Sequence, residues 1–185
     1  MNVKGIGLLV SAVVIAAPSI AQAPAEPPAV PVSAPACTRP EYHQFDFWVG
    51  HWDVRSNGKQ TVVAHSLIES LYDGCAIREN WMPLKKAGGG SLSNYDSATG
   101  QWRQTWVDST GTRVDFTGGS IGDAMVITGN WRGVSGPGQD GLVRMTYTSQ
   151  PGGAVRQLGE VSTDGGKNWG PSFDFIYSPA TEPTK

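Results

Sequence analysis

The sequence predicts an all-β protein, an antiparallel meander of about ten strands closed into a barrel. The composition is the first reason. Of the 185 residues, 24 are Gly and only 16% are charged, which is typical of short strands joined by Gly turns and not of a coiled coil or a charged disordered chain. The second reason is a succession of apolar or alternating segments, each ended by turn residues after roughly 10–15 positions. The third is that no stretch of about 12 residues beyond the N-terminal leader has a helical period.

The first strand is predicted over residues 48–55, where Gly50 and Trp52 share one face with other apolar residues. Asn57-Gly58 follows and gives the strongest short hairpin signal. The remaining predicted strands have the same design and end at Gly, Pro, Asp or Asn turns. They are residues 61–70, 75–82, 91–96, 101–108, 112–118, 124–131, 142–149, 154–162 and 168–177.

The connections decide how these strands are arranged. Tight turns between consecutive segments indicate antiparallel pairing. A meander of this length leaves two exposed edges unless its first and last strands pair. A closed barrel is therefore favoured, with a two-sheet sandwich and a propeller fragment as alternatives. Ten strands enclose an interior too wide for side chains alone to fill, which predicts a cavity, and a short helical turn over residues 43–47 is expected to plug the barrel floor.

The N-terminal residues are predicted to lie outside the barrel. A basic start, an apolar run too short to span a bilayer and then small residues form the three-part pattern of a secretory signal peptide. The alternative is a retained membrane anchor. The predicted organisation is a signal peptide over residues 1–23 with cleavage between 21 and 25, a Pro/Ala-rich linker over 24–36, the barrel over 37–178 and a C-terminal tail over 179–185. We therefore expect a periplasmic or extracellular protein with no membrane span after cleavage.

The chain has two cysteines, Cys37 and Cys75. In the oxidising compartment that a signal peptide implies, we expect them to form a disulfide, with two free buried thiols as the alternative. The bond would tie the entering chain to the end of a strand. The net charge of −2 gives no basic stripe, so no nucleic-acid partner is expected.

Four segments carry a resemblance to a known family: FDFWVGHWDV, GCAIRENW, SLSNYDSATGQWRQTWVDSTG and VRQLGEVSTDGGKNW. Together they resemble small secreted bacterial proteins of unknown function with a lipocalin-like (calycin) barrel, over about residues 37–177. The resemblance implies a lipocalin-like fold, in which Trp52 packs across the closed end and Gly50 allows a close approach of the chain. It implies a secreted location, and no activity or catalytic residue.

A second motif lies near the C-terminus. Ser162, Asp164, Gly166 and Trp169 have the spacing Ser-x-Asp-x-Gly-x-x-Trp, which resembles the Asp-box hairpin of sialidase-type propellers. A propeller needs several such repeats and the sequence has one. We therefore interpret these residues as structural, a device that stabilises a tight turn.

Polar residues in phase with Trp give the best indication of a site. Glu79 shares a face with Trp81, and Gln104 shares a face with Trp106. An inward Glu79 needs a partner, for which Arg144 or Arg156 is available. The alternatives are a satisfied polar core network and a Glu79 that faces solvent. The predicted ligand-binding residues are Glu79, Trp81, Asn94, Gln104, Trp106, Gln157 and Glu160.

These residues predict a barrel that binds a small apolar or amphipathic molecule. One alternative is an envelope module that binds a protein or a glycan through exposed Trp and an edge strand. Another is a barrel enzyme, an isomerase or hydrolase that uses Glu79 with Asp96 or Glu160. No catalytic residue is assigned, because Gly-x-Ser-x-Gly is missing from the sequence. The three histidines lack the spacing of a metal pair and none follows His65, so we expect no metal, haem or other cofactor.

Overall fold

The computed structural model describes Met1 and residues 37–180. Nearly all of the predicted signal peptide, the whole predicted linker and the last five residues of the predicted tail lie outside the described residues. None of the helical segments in the described part of the chain has the length and apolarity that a membrane crossing requires.

Ten antiparallel strands form one closed barrel, which confirms the predicted all-β meander. Each strand pairs with its sequence neighbours, and β1 also pairs with β10, with Trp52 opposite Pro179 and Ser56 opposite Phe175. The sandwich and the propeller fragment are therefore excluded for this domain. The strands are β1 (Gly50–Ser56), β2 (Val62–Leu71), β3 (Ala76–Pro83), β4 (Gly89–Asp96), β5 (Gln101–Asp108), β6 (Arg113–Ile121), β7 (Ala124–Trp131), β8 (Gly141–Ser149), β9 (Val155–Ser162) and β10 (Gly170–Pro179).

Alternation along the strands determines what lies inside the barrel. In β8, Val143, Met145 and Tyr147 are buried, while Arg144 and Thr146 between them face outward and are only partly buried. Most of the other strands show the same period of two in burial, because successive side chains of a strand point to opposite faces. The buried residues form one core cluster inside the barrel.

An aromatic cluster closes one end of the barrel. Two short 3₁₀ turns, Pro40–His43 and Asp46–Trp48, precede β1 where the helical plug is predicted. Phe45 stacks on Trp48 with ring centroids 4.9 Å apart, and the Trp52 indole N–H donates to the Trp48 carbonyl at 2.9 Å. We call this end, with the 3₁₀ turns, the closed end.

Gly50 and Trp52 meet at this closed end. A Cβ placed on Gly50 would lie 3.0 Å from the Trp52 ring, so a larger residue at this position would force the ring to shift. Trp52 itself is buried. The Gly-x-Trp spacing therefore has a local physical reason, since the glycine makes room for the ring that follows it two residues later.

The predicted disulfide is present. Cys37 and Cys75 are bonded across a separation of 38 residues, with Cα atoms 5.1 Å apart. Cys75 ends the turn between β2 and β3, and Cys37 precedes the first 3₁₀ turn. The bond therefore ties the plug-forming segment to the rim of the barrel.

This bond leads to the first prediction. We expect the double variant Cys37→Ala/Cys75→Ala to lose about 3–4 kcal/mol of unfolding free energy, because the bond restricts the unfolded chain over a loop of this length. Urea unfolding of the oxidised protein and the variant measures the loss. A reductant should destabilise the native protein by a similar amount and leave the variant unchanged. Equal stability of the two oxidised proteins would contradict the prediction.

Candidate ligand-binding cavity

A cavity of about 350 Å³ occupies the end of the barrel opposite the closed end. β1 runs from the closed end at Gly50 to Ser56, which lines the cavity, as do Pro83 at the end of β3 and Lys86 in the following loop. The volume is at the lower end of the range of roughly 300–1,000 Å³ for small-molecule pockets. A second hollow, of about 740 Å³, is an open depression outside the closed end beside Phe47 and Ile121, and it is not enclosed by the strands.

The part of the cavity near its mouth is lined by aromatic rings from β3, β5, β7 and β10. Trp81 and Phe175 lie with ring centroids 5.6 Å apart, and Phe173 stacks on Phe175 at 5.1 Å. These rings offer a large apolar area and several π faces to a bound molecule. We call this set the aromatic wall, and its members are Trp81, Trp106, Trp131, Phe173 and Phe175.

Deeper in the barrel the lining becomes polar. The Tyr177 hydroxyl donates to Gln157 Oε1 at 2.7 Å, and Gln157 Nε2 donates to the Tyr147 hydroxyl oxygen at 2.9 Å. Gln104 Nε2 donates to Ser93 Oγ at 3.0 Å. We call this set the polar floor, and its members are Glu79, Gln104, Tyr147, Gln157 and Tyr177.

Glu79 is the charged member of the polar floor. Its side chain is buried, with the residue only 6% exposed, and Ser91 Oγ donates to its Oε2 at 3.0 Å. Among the described residues, none forms an ion pair with it. Burial raises the pKa of the Glu79 carboxyl from 4.5 to about 7, and the hydrogen bonds from Ser91 and Ser66 offset only part of that effect.

The two tyrosines of the floor respond to the same environment. Burial, the larger cause, and the nearby charge of Glu79 raise the pKa of the Tyr147 and Tyr177 hydroxyls well above their ordinary value of 10. Both hydroxyls therefore stay neutral at physiological pH. Lys86 is exposed, and it is the one cationic residue among the described residues that line the cavity.

Five of the seven predicted ligand-binding residues line this cavity, and two do not. The five are Glu79, Trp81, Gln104, Trp106 and Gln157. Asn94 is exposed on the outer face, because Ser91 and Ser93 take the inward positions of β4. Glu160 is out of phase with Gln157, so it lies outside the barrel in an ion pair with Arg144 at 2.8 Å.

The expectation that Arg144 or Arg156 is the partner of an inward Glu79 is also wrong. Arg144 pairs with Glu160, and Arg156 donates to both carboxylate oxygens of Asp174 at 2.8 Å. Both pairs are cross-strand contacts on the outer surface, where two strands place opposite charges side by side. Neither arginine compensates the buried carboxyl.

The carboxylates suggested for catalysis are also apart from Glu79. Asp96 ends β4 at the turn into β5 and accepts from Arg103 Nε at 2.8 Å. Ser91 is the residue opposite Glu79 in the β3–β4 register, and Asp96 lies five positions further along, roughly 17 Å away. Glu79 therefore forms no carboxylate pair with Asp96 or Glu160, and the expectation that it acts together with either of them is wrong.

Sequence reasoning missed half of the cavity. The predicted ligand-binding residues do not include three of the five members of the aromatic wall or two of the five members of the polar floor, namely Trp131, Phe173, Phe175, Tyr147 and Tyr177. Alternation by itself indicates only that such residues point inward. β10 carries Phe173, Phe175 and Tyr177 at a spacing of two, the same pattern that identifies Glu79 with Trp81.

The Asp-box-like segment forms the turn between β9 and β10. The Ser162 hydroxyl donates to Asp164 Oδ1 at 2.7 Å, and the backbone amides of Lys167 and Asn168 donate to the same oxygen. The hydrogen bonds from Asn168 are the main reason why the pKa of Asp164 falls to about 2. The Trp169 indole closes the turn by donating to the Gly166 carbonyl at 3.0 Å.

The described His, Cys, Asp and Glu residues include no group of three that could hold a metal ion. The chain matches no protein-family model, and no curated protein is significantly similar to it in sequence. The cavity itself therefore has to indicate the function.

Glu79 should make the stability of the protein depend on pH. Its pKa is higher in the folded protein, about 7, than the ordinary 4.5 of an unfolded chain, so the folded state holds this proton more tightly. As the pH rises from 4.5 to 7, the unfolding free energy of the native protein should fall relative to that of Glu79→Gln. The fall should be about 1.4 kcal/mol per pH unit, or about 3 kcal/mol in total. The difference in unfolding free energy between the two proteins should be constant well below pH 4.5 and well above pH 7.

Urea unfolding at several pH values measures this difference. The matched control is Glu160→Gln, which removes a carboxylate from the outer face and should leave the fall between pH 5 and 7 in place. A difference between native protein and Glu79→Gln that does not change with pH over this interval would show that Glu79 is not held in an uncompensated site.

Proposed function

We propose that the protein binds a small amphipathic molecule in the open end of its barrel. The observation that carries this proposal is a cavity with two chemically different parts, the aromatic wall near the mouth and the polar floor below it. The wall would bury the apolar body of a ligand, and the floor would fix its orientation through a few polar contacts.

The compartment is part of the same proposal. The N-terminal sequence has the pattern of a signal peptide, and a disulfide is typical of oxidising compartments. We infer that the protein is secreted to the periplasm or beyond, like the lipocalin-like bacterial proteins that its sequence resembles. The ligand would then be a molecule that is present outside the cytoplasm.

Two other functions have less support. A protein- or glycan-binding module would use exposed Trp and a free edge strand. In the described domain every Trp is buried or partly buried, and the closed barrel leaves no unpaired edge. An enzyme would use Glu79 with a second carboxylate, and the two candidates lie elsewhere on the barrel.

A neutral fluorescent amphiphile, N-phenyl-1-naphthylamine, tests the proposal. We expect a saturable rise in its emission with one site per chain, accompanied by quenching of Trp emission, because the aromatic wall contacts the probe. Ser56→Trp adds an indole at the mouth, where Ser56 lies opposite Phe175. It should weaken probe binding by at least about tenfold, since the added ring takes up much of the free volume.

Leu92→Trp is the matched control, because it adds the same indole on the exposed outer face. It should bind the probe as the native protein does. The proposal fails if the probe shows no saturable binding, or if Ser56→Trp and Leu92→Trp bind it equally well. Circular dichroism of both variants establishes that the barrel is intact.

A further inference from the structure

We propose that the ligand is cationic: an organic amine whose ammonium group pairs with Glu79 and whose apolar body lies against the aromatic wall. This inference rests on the proposed function and specifies the chemical class of its ligand. Three features of the cavity carry it, namely the missing countercharge, the direction of the surrounding hydrogen bonds and the nature of the wall.

The first feature is a buried carboxyl with no cation beside it. An isolated buried charge is costly unless it is paired, and the described salt bridges leave Glu79 out. The nearest polar partner is a neutral hydroxyl, that of Ser91. A bound ammonium would supply the countercharge that the fold does not provide.

The second feature is that the hydroxyl protons of Tyr147 and Tyr177 are donated to partners other than Glu79. The Tyr177 hydroxyl donates to Gln157, and the Tyr147 hydroxyl donates to Met145 Sδ at 3.3 Å. Around the carboxylate the floor therefore offers oxygen lone pairs and few free protons. Such a surface suits a ligand that donates hydrogen bonds, and it disfavours an anion.

The third feature is the aromatic wall. The faces of Trp, Tyr and Phe attract a cation held within about 6 Å of the ring centroid. Trp81 belongs to the wall, and its ring lies 6.2 Å from that of Tyr177 in the floor. Trp81 is also two residues from Glu79 on β3. An ammonium at the carboxylate is therefore adjacent to π faces as well as to a negative charge.

Lys86 is the one cationic side chain among the described residues that line the cavity, so its effect on the choice of ligand must be considered. It lies in the loop after β3 and contributes to the lining, but it is exposed and forms no ion pair with a described residue. A lysine at the mouth could alternatively receive an anionic ligand. The experiment therefore includes an acid as well as an amine.

Three probes share one apolar body and differ in the head group: 4-phenylbutylamine, 4-phenyl-1-butanol and 4-phenylbutyrate. Calorimetric titration at about pH 8 should show the amine binding at least about tenfold tighter than the alcohol, because only the ammonium adds an attraction between opposite charges to its hydrogen bond with the carboxylate. The acid should bind most weakly. In Glu79→Gln the amine should lose its advantage, while the alcohol keeps its affinity.

The pH profile of the native protein is a second test, which needs no variant. From about pH 8 to pH 5 the amine should lose its advantage over the alcohol, a fall of at least about tenfold in affinity, because the carboxyl with a pKa of about 7 is protonated and neutral at the lower pH. Affinity for the alcohol should be unchanged. The other titratable or charged groups that face Glu79 or line its cavity are Tyr147, Tyr177 and Lys86, and the two tyrosines stay neutral over this range.

Glu160→Gln is the matched control and should preserve the preference for the amine. The inference is overturned if amine and alcohol bind equally, or if Glu79→Gln retains the preference. It is also overturned if the acid binds tightest and Lys86→Met abolishes that binding. In these cases the proposal that the cavity binds a ligand is kept, and only the positive charge inferred for that ligand is rejected. If none of the three probes binds, the inference is overturned, and the titration with N-phenyl-1-naphthylamine decides whether the proposed function fails with it.

Discussion

The pairing of β1 with β10 is the contact on which the rest of the structure depends. It closes the meander, so that the backbone groups of both end strands are hydrogen-bonded and one face of every strand is turned to a shared interior. An interior enclosed by ten strands is wider than side chains alone can fill. Each end must therefore be either plugged or left hollow. Phe45, Trp48 and Trp52 plug one end, and the cavity occupies the other.

The same closure explains the electrostatics of the cavity. The arginines on β8 and β9 point outward, where Glu160 and Asp174 on neighbouring strands neutralise them. Glu79 takes an inward position and so loses access to these partners. Its carboxyl is left among hydroxyl, amide and aromatic groups. A residue in this condition lowers the stability of the folded protein at neutral pH, and a function that uses the charge gives a physical reason for its presence.

The sequence predicts the fold of this protein more completely than it predicts the candidate site. The turn residues and the alternation of β1 indicate a closed meander, because tight turns and the need to pair both edges leave few arrangements. Glu79, Gln104 and Gln157 are found because each is in phase with apolar inward residues. Asn94 and Glu160 are misplaced because their strands carry polar or small residues on both faces, so that only the register in the closed barrel decides which face is inside. Tyr147 and Tyr177 are missed because an apolar alternating strand identifies a core without indicating a cavity.

The most direct test of an uncompensated carboxyl in the cavity is a carbon-detected NMR titration of the Glu79 side chain. The signal is assigned by its loss in Glu79→Gln, and its chemical shift is followed from about pH 3 to pH 9. We expect a midpoint of about 7 in the ligand-free protein. A midpoint near the ordinary 4.5 would mean that solvent or an unrecognised partner compensates the charge, and it would contradict the central claim that the barrel holds this carboxyl without a countercharge.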